Sequence, residues 1–107
     1  MASHLPAPAA AERDPRSVNM ATLWLAENGL HCSLKVGLYE GRPHLDEAKA
    51  WGVILADTAH HLADAMRAAD ITQEPRETVV HRIWTSFHEE LSKPSAAEPG
   101  TFVKGGG

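Results

Sequence analysis

Residues 45–69 read LDEAKAWGVILADTAHHLADAMRAA, and this stretch decides the fold. At about 100° per residue, Trp51, Leu55, Ala59, Leu62 and Met66 fall on one side of a helical wheel. Ala48, Gly52, Ile54, Ala56 and Ala63 widen that side past half the circumference. Lys49, Asp57, His60, His61, Asp64 and Arg67 fill the remaining arc. So wide an apolar arc predicts a helix covered from more than one direction. Asp46 or His44 opens it, and the acidic pair Asp46 and Glu47 suits the positive end of a helix. Gly52 in the interior costs about 1 kcal/mol relative to Ala. Close approach of a strand or helix at that point is the expected compensation.

Downstream, Asp70 to Glu74 read as a connector. A second helix is predicted from near Pro75, a favourable first-turn residue, with Thr72 or Glu74 as its cap. It runs to about Ser92 and is stopped by Pro94. Val80, Ile83, Trp84, Phe87 and Leu91 form an apolar stripe of ordinary width, with Arg82, Ser86 and Glu89 pointing away.

Upstream lies a hairpin between Val18 and Tyr39. Asn28-Gly29 supplies the pair that a two-residue turn with positive φ prefers. With those two at the tip, Glu27 faces Leu30, Leu25 faces Cys32, Leu23 faces Leu34 and Ala21 faces Val36. One face is then apolar almost throughout, and alternation on both strands agrees with the turn. The other face carries Trp24 and Met20 among polar neighbours. These two are the candidate interface residues, because they need partial cover from a chain end or a second subunit. The fold class is therefore α+β, in the order β-β-α-α, with both helices packed on one sheet face. Residues 1–16, rich in Ala and Pro, read as a disordered arm, 17–93 as a single α+β domain, and 94–107 as a disordered tail whose apolar anchors are Phe102 and Val103.

The chain has 107 residues, 43% hydrophobic and 22% charged, which suits one soluble domain. A domain of this size hides only a little over ~60% of its unfolded surface, and a lone two-stranded sheet is marginal. A homodimer is thus expected, with the sheet extended edge to edge or the helices paired. The net charge of −4 and the lack of any Lys/Arg cluster exclude nonspecific nucleic-acid binding. No run of 18 apolar residues exists to span a membrane. The single cysteine, Cys32, precludes an internal disulfide, and the N-terminus lacks the pattern of a secretory signal. The expected compartment is the cytoplasm.

Two clusters could carry chemistry. Asp57, His60, His61 and Asp64 share one helix face, with Asp57–His61 and His60–Asp64 at i, i+4. Two imidazoles and two carboxylates are ligands that zinc or nickel accepts. Against that, adjacent histidines point about 100° apart, and one helix seldom completes a metal site. A solvated face with Asp–His pairs is the simpler account. Glu77, His81 and His88 border Trp84 on the last helix. The two histidines stand about 10 Å apart along the axis, too far for one ion, so half-buried boundary positions are expected. Cys32 alternates onto the apolar face, away from His31, which removes a Cys–His pair. No nucleophile elbow, phosphate-binding loop or CxxC is present.

LHCSLKVGLYEG, followed by EAKAWGVILADTAHHLADAM, resembles a small proteobacterial family of roughly 100-residue proteins classed only as a domain of unknown function. The likeness spans about Val18 to Leu91 and implies a stand-alone cytoplasmic protein with no assigned activity or site residues. The leading functional expectation is a small noncatalytic interaction or regulatory module, with no catalytic residue and no cofactor. One alternative is a divalent-metal protein using Asp57, His60, His61 and Asp64, aided by His81 and His88. The other is an enzyme whose site is assembled across a dimer interface.

Overall fold

The computed structural model describes residues 4–38, 40–93 and 101–104. Its elements, in chain order, are α1 (Ala9–Arg13), β1 (Ala21–Ala26), β2 (Gly29–Val36), α2 (Glu47–Ala68), α3 (Arg76–Leu91) and β3 (Thr101–Lys104). This is an α+β arrangement in which an antiparallel hairpin is followed by two helices. No helix among the described residues is long and apolar enough to cross a membrane. The chain divides into two compact units, one holding the hairpin and β3, the other beginning at Gly37 and holding α2 and α3. That boundary falls inside the 17–93 span read as one domain.

The sheet has the order β1-β2-β3. β1 and β2 are antiparallel, whereas β3 runs parallel to β2, with Ser33 opposite Thr101 and Val36 opposite Lys104. β2 is therefore the central strand. Four residues of the expected tail thus have regular structure, and Thr-Phe-Val-Lys carries the β-branched and aromatic residues that favour it. Within the expected N-terminal arm, Ala9–Arg13 forms a single helical turn after Pro8. Residues 1–3, 94–100 and 105–107 of the terminal segments lie outside the described residues, as does Tyr39.

The hairpin register differs from the expected one by two residues. Glu27 and Asn28, at φ 50° and 64°, occupy the turn, and Ala26 pairs with Gly29. Leu25 then stands opposite Leu30, Leu23 opposite Cys32, and Ala21 opposite Leu34. Apolar pairs directly opposite one another stabilise a sheet. The expected register would have set Glu27 against Leu30 instead. Because the offset is even, every side chain keeps its expected face. On the leucine face Leu23, Leu25 and Leu30 are all exposed, Leu25 at 87%. On the other face Trp24 and Met20 are half-buried, and the His4 ring meets Trp24 edge-on at 5.1 Å.

In the helical unit, Asp46 is the cap of α2, its side chain accepting from the Lys49 N–H at 3.3 Å. Glu47 accepts from the Gly37 N–H through both carboxylate oxygens, at 3.1 and 2.9 Å, and from Trp51 Nε1 at 3.3 Å. One side chain thereby ties the first turn of α2 to the chain ten residues upstream. At the far end Asp70 takes φ 57°. Its N–H donates to Arg67 O at 3.1 Å, and the Ile71 N–H donates to Met66 O at 2.9 Å. This closing pattern normally uses Gly in the left-handed position. Pro75 precedes α3, which has no side-chain cap. Thr72, an expected cap, instead accepts from the Glu74 N–H at 3.1 Å, before the helix begins. At Gly52, where a close approach was expected, an added Cβ meets nothing within 4 Å among the described residues.

Ala63 and Val79 are the buried apolar residues among those described. They belong to α2 and α3, which pack on each other. Ala63 leaves room for the neighbouring helix, and Val79 fills part of it.

Candidate functional site

The expected Asp–His face of α2 does not converge. His61 Nε2 lies 3.3 Å from Asp57 Oδ2, and both side chains are mostly exposed. Asp64 faces Arg76 of α3 instead. Arg76 Nη2 donates to Asp64 Oδ2 at 3.2 Å, and Arg76 Nε lies 2.8 Å from Oδ1. That Nε is shielded from water but makes no aligned hydrogen bond. His60 is exposed. Among the described residues no group of three or more His, Cys, Asp or Glu is placed to hold a metal ion. The four residues thus split into an i, i+4 pair, an interhelix ion pair and a solvated histidine.

An open concavity of about 360 Å³ lies in the helical unit, lined by Met66, Thr72, Glu74, Val79, Arg82, Ile83 and Ser86. Its one carboxylate, Glu74, forms an ion pair with Arg82 and lies 3.4 Å from Thr72 Oγ1. A smaller concavity of about 190 Å³ on the sheet is lined by Asn19, Thr22, Ser33, Leu34 and Lys35.

The feature that sequence reasoning missed is on α3. His81, Trp84 and His88 form a three-ring stack: the His81 and Trp84 centroids are 5.9 Å apart, and those of Trp84 and His88 are 5.2 Å apart with planes 7° from parallel. All three are exposed, which corrects the expectation that the histidines are half-buried. Phe87 and Leu91 are exposed beside them. The reason lies in the helix itself. The apolar residues of α3 cover two faces: Val79 and Ile83 turn toward α2 and the concavity, while Trp84, Phe87 and Leu91 lie roughly 100° further round. The signal was present in the sequence, because Val79 and Val80 are adjacent and cannot share one face.

Comparison with known proteins bears on family and fold. A family profile described as a domain of unknown function (DUF5076) matches residues 4–95. The chain belongs to this family. No curated protein matches. A solved structure described as a "putative pyruvate dehydrogenase" from the photosynthetic bacterium Rhodopseudomonas palustrus CGA009 is similar, at 21% identity and a TM-score of 0.62. The match covers 92% of this chain and 94% of that one. At that identity the likeness concerns the fold alone.

Proposed function

We propose that this member of the family is a small noncatalytic interaction module that associates with copies of itself through exposed apolar surfaces. The observation that carries this reading is a contrast within the helical unit. Three pairs of its ionisable groups are engaged with one another: Asp57 with His61, Asp64 with Arg76, Glu74 with Arg82. Its large apolar groups are not, since Trp84, Phe87 and Leu91 stand exposed together. Contiguous apolar patches on a protein surface mark contact sites. The hairpin repeats the contrast with Leu23, Leu25 and Leu30. A chain this short gains comparatively little from its own core, and a second copy is the simplest source of more burial. A cytoplasmic location belongs to the same reading, because the free thiol of Cys32 suits a reducing compartment.

Size-exclusion chromatography with light scattering, run on the full chain from low to several hundred micromolar, tests the proposal. A mass that rises with concentration above 11.6 kDa supports it. A folded species that stays at 11.6 kDa throughout overturns it.

A further inference from the structure

The alternation along β1 predicts that Trp24 needs cover, from a chain end or from a second subunit. A cover is present inside the hairpin's own unit, to which residues 4–20 also belong. The two faces of the hairpin differ in burial. Leu23, Leu25 and Leu30 are exposed on one, while Thr22, Trp24 and His31 are half-buried on the other. His31 stands directly opposite Trp24 and is its cross-strand neighbour. From outside the sheet comes the His4 ring, which meets the indole edge-on with centroids 5.1 Å apart and planes at 87°.

The N-terminal arm is built to hold that ring in place. Residues 5–8 read Leu-Pro-Ala-Pro. Each proline biases the residue before it toward extended backbone. Pro8 itself takes φ −61° and ψ 150°, the polyproline conformation. Beyond it, local hydrogen bonds turn the chain back toward β1. The Ala11 and Glu12 N–H groups donate to Pro8 O at 2.9 and 3.2 Å, and Ser17 Oγ donates to Ala11 O at 2.9 Å. The Arg16 N–H donates to Asp14 Oδ1 at 2.9 Å. A stiff segment mounted on such a turn loses little freedom when its end docks. The segment is not held by general apolar contact, since Leu5, next to His4, is 96% exposed.

We infer that residues 4–8 form a strap that seats His4 on Trp24 and closes this face of the sheet. Trp24 is then the seat of the chain's own arm rather than a contact with a second copy, and self-association uses other surfaces. An edge-to-face ring pair shifts an open–closed equilibrium by a factor of roughly 2–10. A strap held by that pair alone is closed in most molecules and open in a minority. Terminal segments move on nanosecond to microsecond timescales, so the strap lifts without unfolding the hairpin beneath it.

Nuclear magnetic resonance of the full chain tests the strap, because the indole protons of Trp24 can be followed beside those of Trp51 and Trp84. Nuclear Overhauser contacts between the His4 and Trp24 rings are expected in the unaltered chain. His4→Ala is expected to raise the exposure of the Trp24 indole to a soluble paramagnetic probe about twofold, with the cross-strand contacts of the hairpin retained. His4→Phe, which keeps an aromatic edge, is expected to restore the cover, and Leu5→Ala to leave it unmoved. Trp24→Ala is expected to leave self-association unchanged in sedimentation equilibrium. Unchanged exposure of Trp24 in H4A would overturn the inference. So would an equal rise in L5A, because the arm would then lie on the sheet without a ring seat. An association weakened about tenfold or more in W24A, the size of effect that a buried interface tryptophan gives, would overturn it by making Trp24 an interface residue.

Discussion

The hairpin and the helical pair were read from the same kind of signal, the periodicity of apolar residues, and the signal failed differently in each. In the hairpin it placed the side chains on their observed faces but did not correct the turn at Asn28-Gly29, which set the strands two residues out of register. In the helical pair it marked α3 as amphipathic but merged two faces into one stripe. A period of two is insensitive to an even slip. A period of 3.6 with bulky residues on adjacent positions is insensitive to how many partners a helix has. Periodicity says which residues are apolar together; it leaves open what buries them.

The comparison can be broken most forcefully at the contact between α2 and α3. Ala63→Asp places a carboxylate at a fully buried position. It is expected to destabilise the helical unit by about 3 kcal/mol or more. Urea unfolding followed by helical circular dichroism would show this, and a loss under 1 kcal/mol would mean that the two helices do not rely on that contact. Next comes Glu47→Ala, which removes the acceptor shared by the Gly37 N–H and Trp51 Nε1. A loss of about 1.5 kcal/mol is expected, with hydrogen exchange at Gly37 as the local reporter.

Two substitutions should instead stabilise, one in each region. Gly52→Ala adds a methyl group where nothing stands within 4 Å and should raise stability by about 1 kcal/mol. Should it destabilise, a neighbour approaches α2 at Gly52 in the assembled protein. Glu27→Asn replaces a residue at φ 50° with one that tolerates the left-handed region. A gain of about 0.5 kcal/mol is expected, and cross-strand nuclear Overhauser contacts between positions 25 and 30 would confirm that the register holds. The smallest effect belongs to Asp57→Asn. The exposed Asp57–His61 pair is worth only a few tenths of a kcal/mol, so the thermal midpoint should scarcely move.

Several elements were legible because their cause is local. Asp46 followed by Glu47 announced the start of α2, and the alternation from Ala21 to Val36 announced the hairpin. The Asp57–His61 pair followed from i, i+4 spacing on one helix. The features that escaped depend on partners far along the chain. Asp64 looks like a neighbour of His60 until α3 brings Arg76 against it. A carboxylate that receives a backbone N–H ten residues upstream, as Glu47 does, leaves no pattern in the sequence. The turn misled for a different reason. Asn28 can serve as either the first or the second central residue, and the opposition of Leu25 to Leu30 decides the outcome beyond the turn itself.

The parallel pairing of β3 with β2 bears on how the protein comes into being. Ser33 meets Thr101 only after both helices have been synthesised between them. Contacts so distant along the chain form late and slow the folding step that needs them. Until Thr101–Lys104 have left the ribosome, the free edge of β2 offers unpaired backbone groups to any extended segment nearby. A nascent chain, or one shortened at its C-terminus, should accordingly be more sticky than the finished protein.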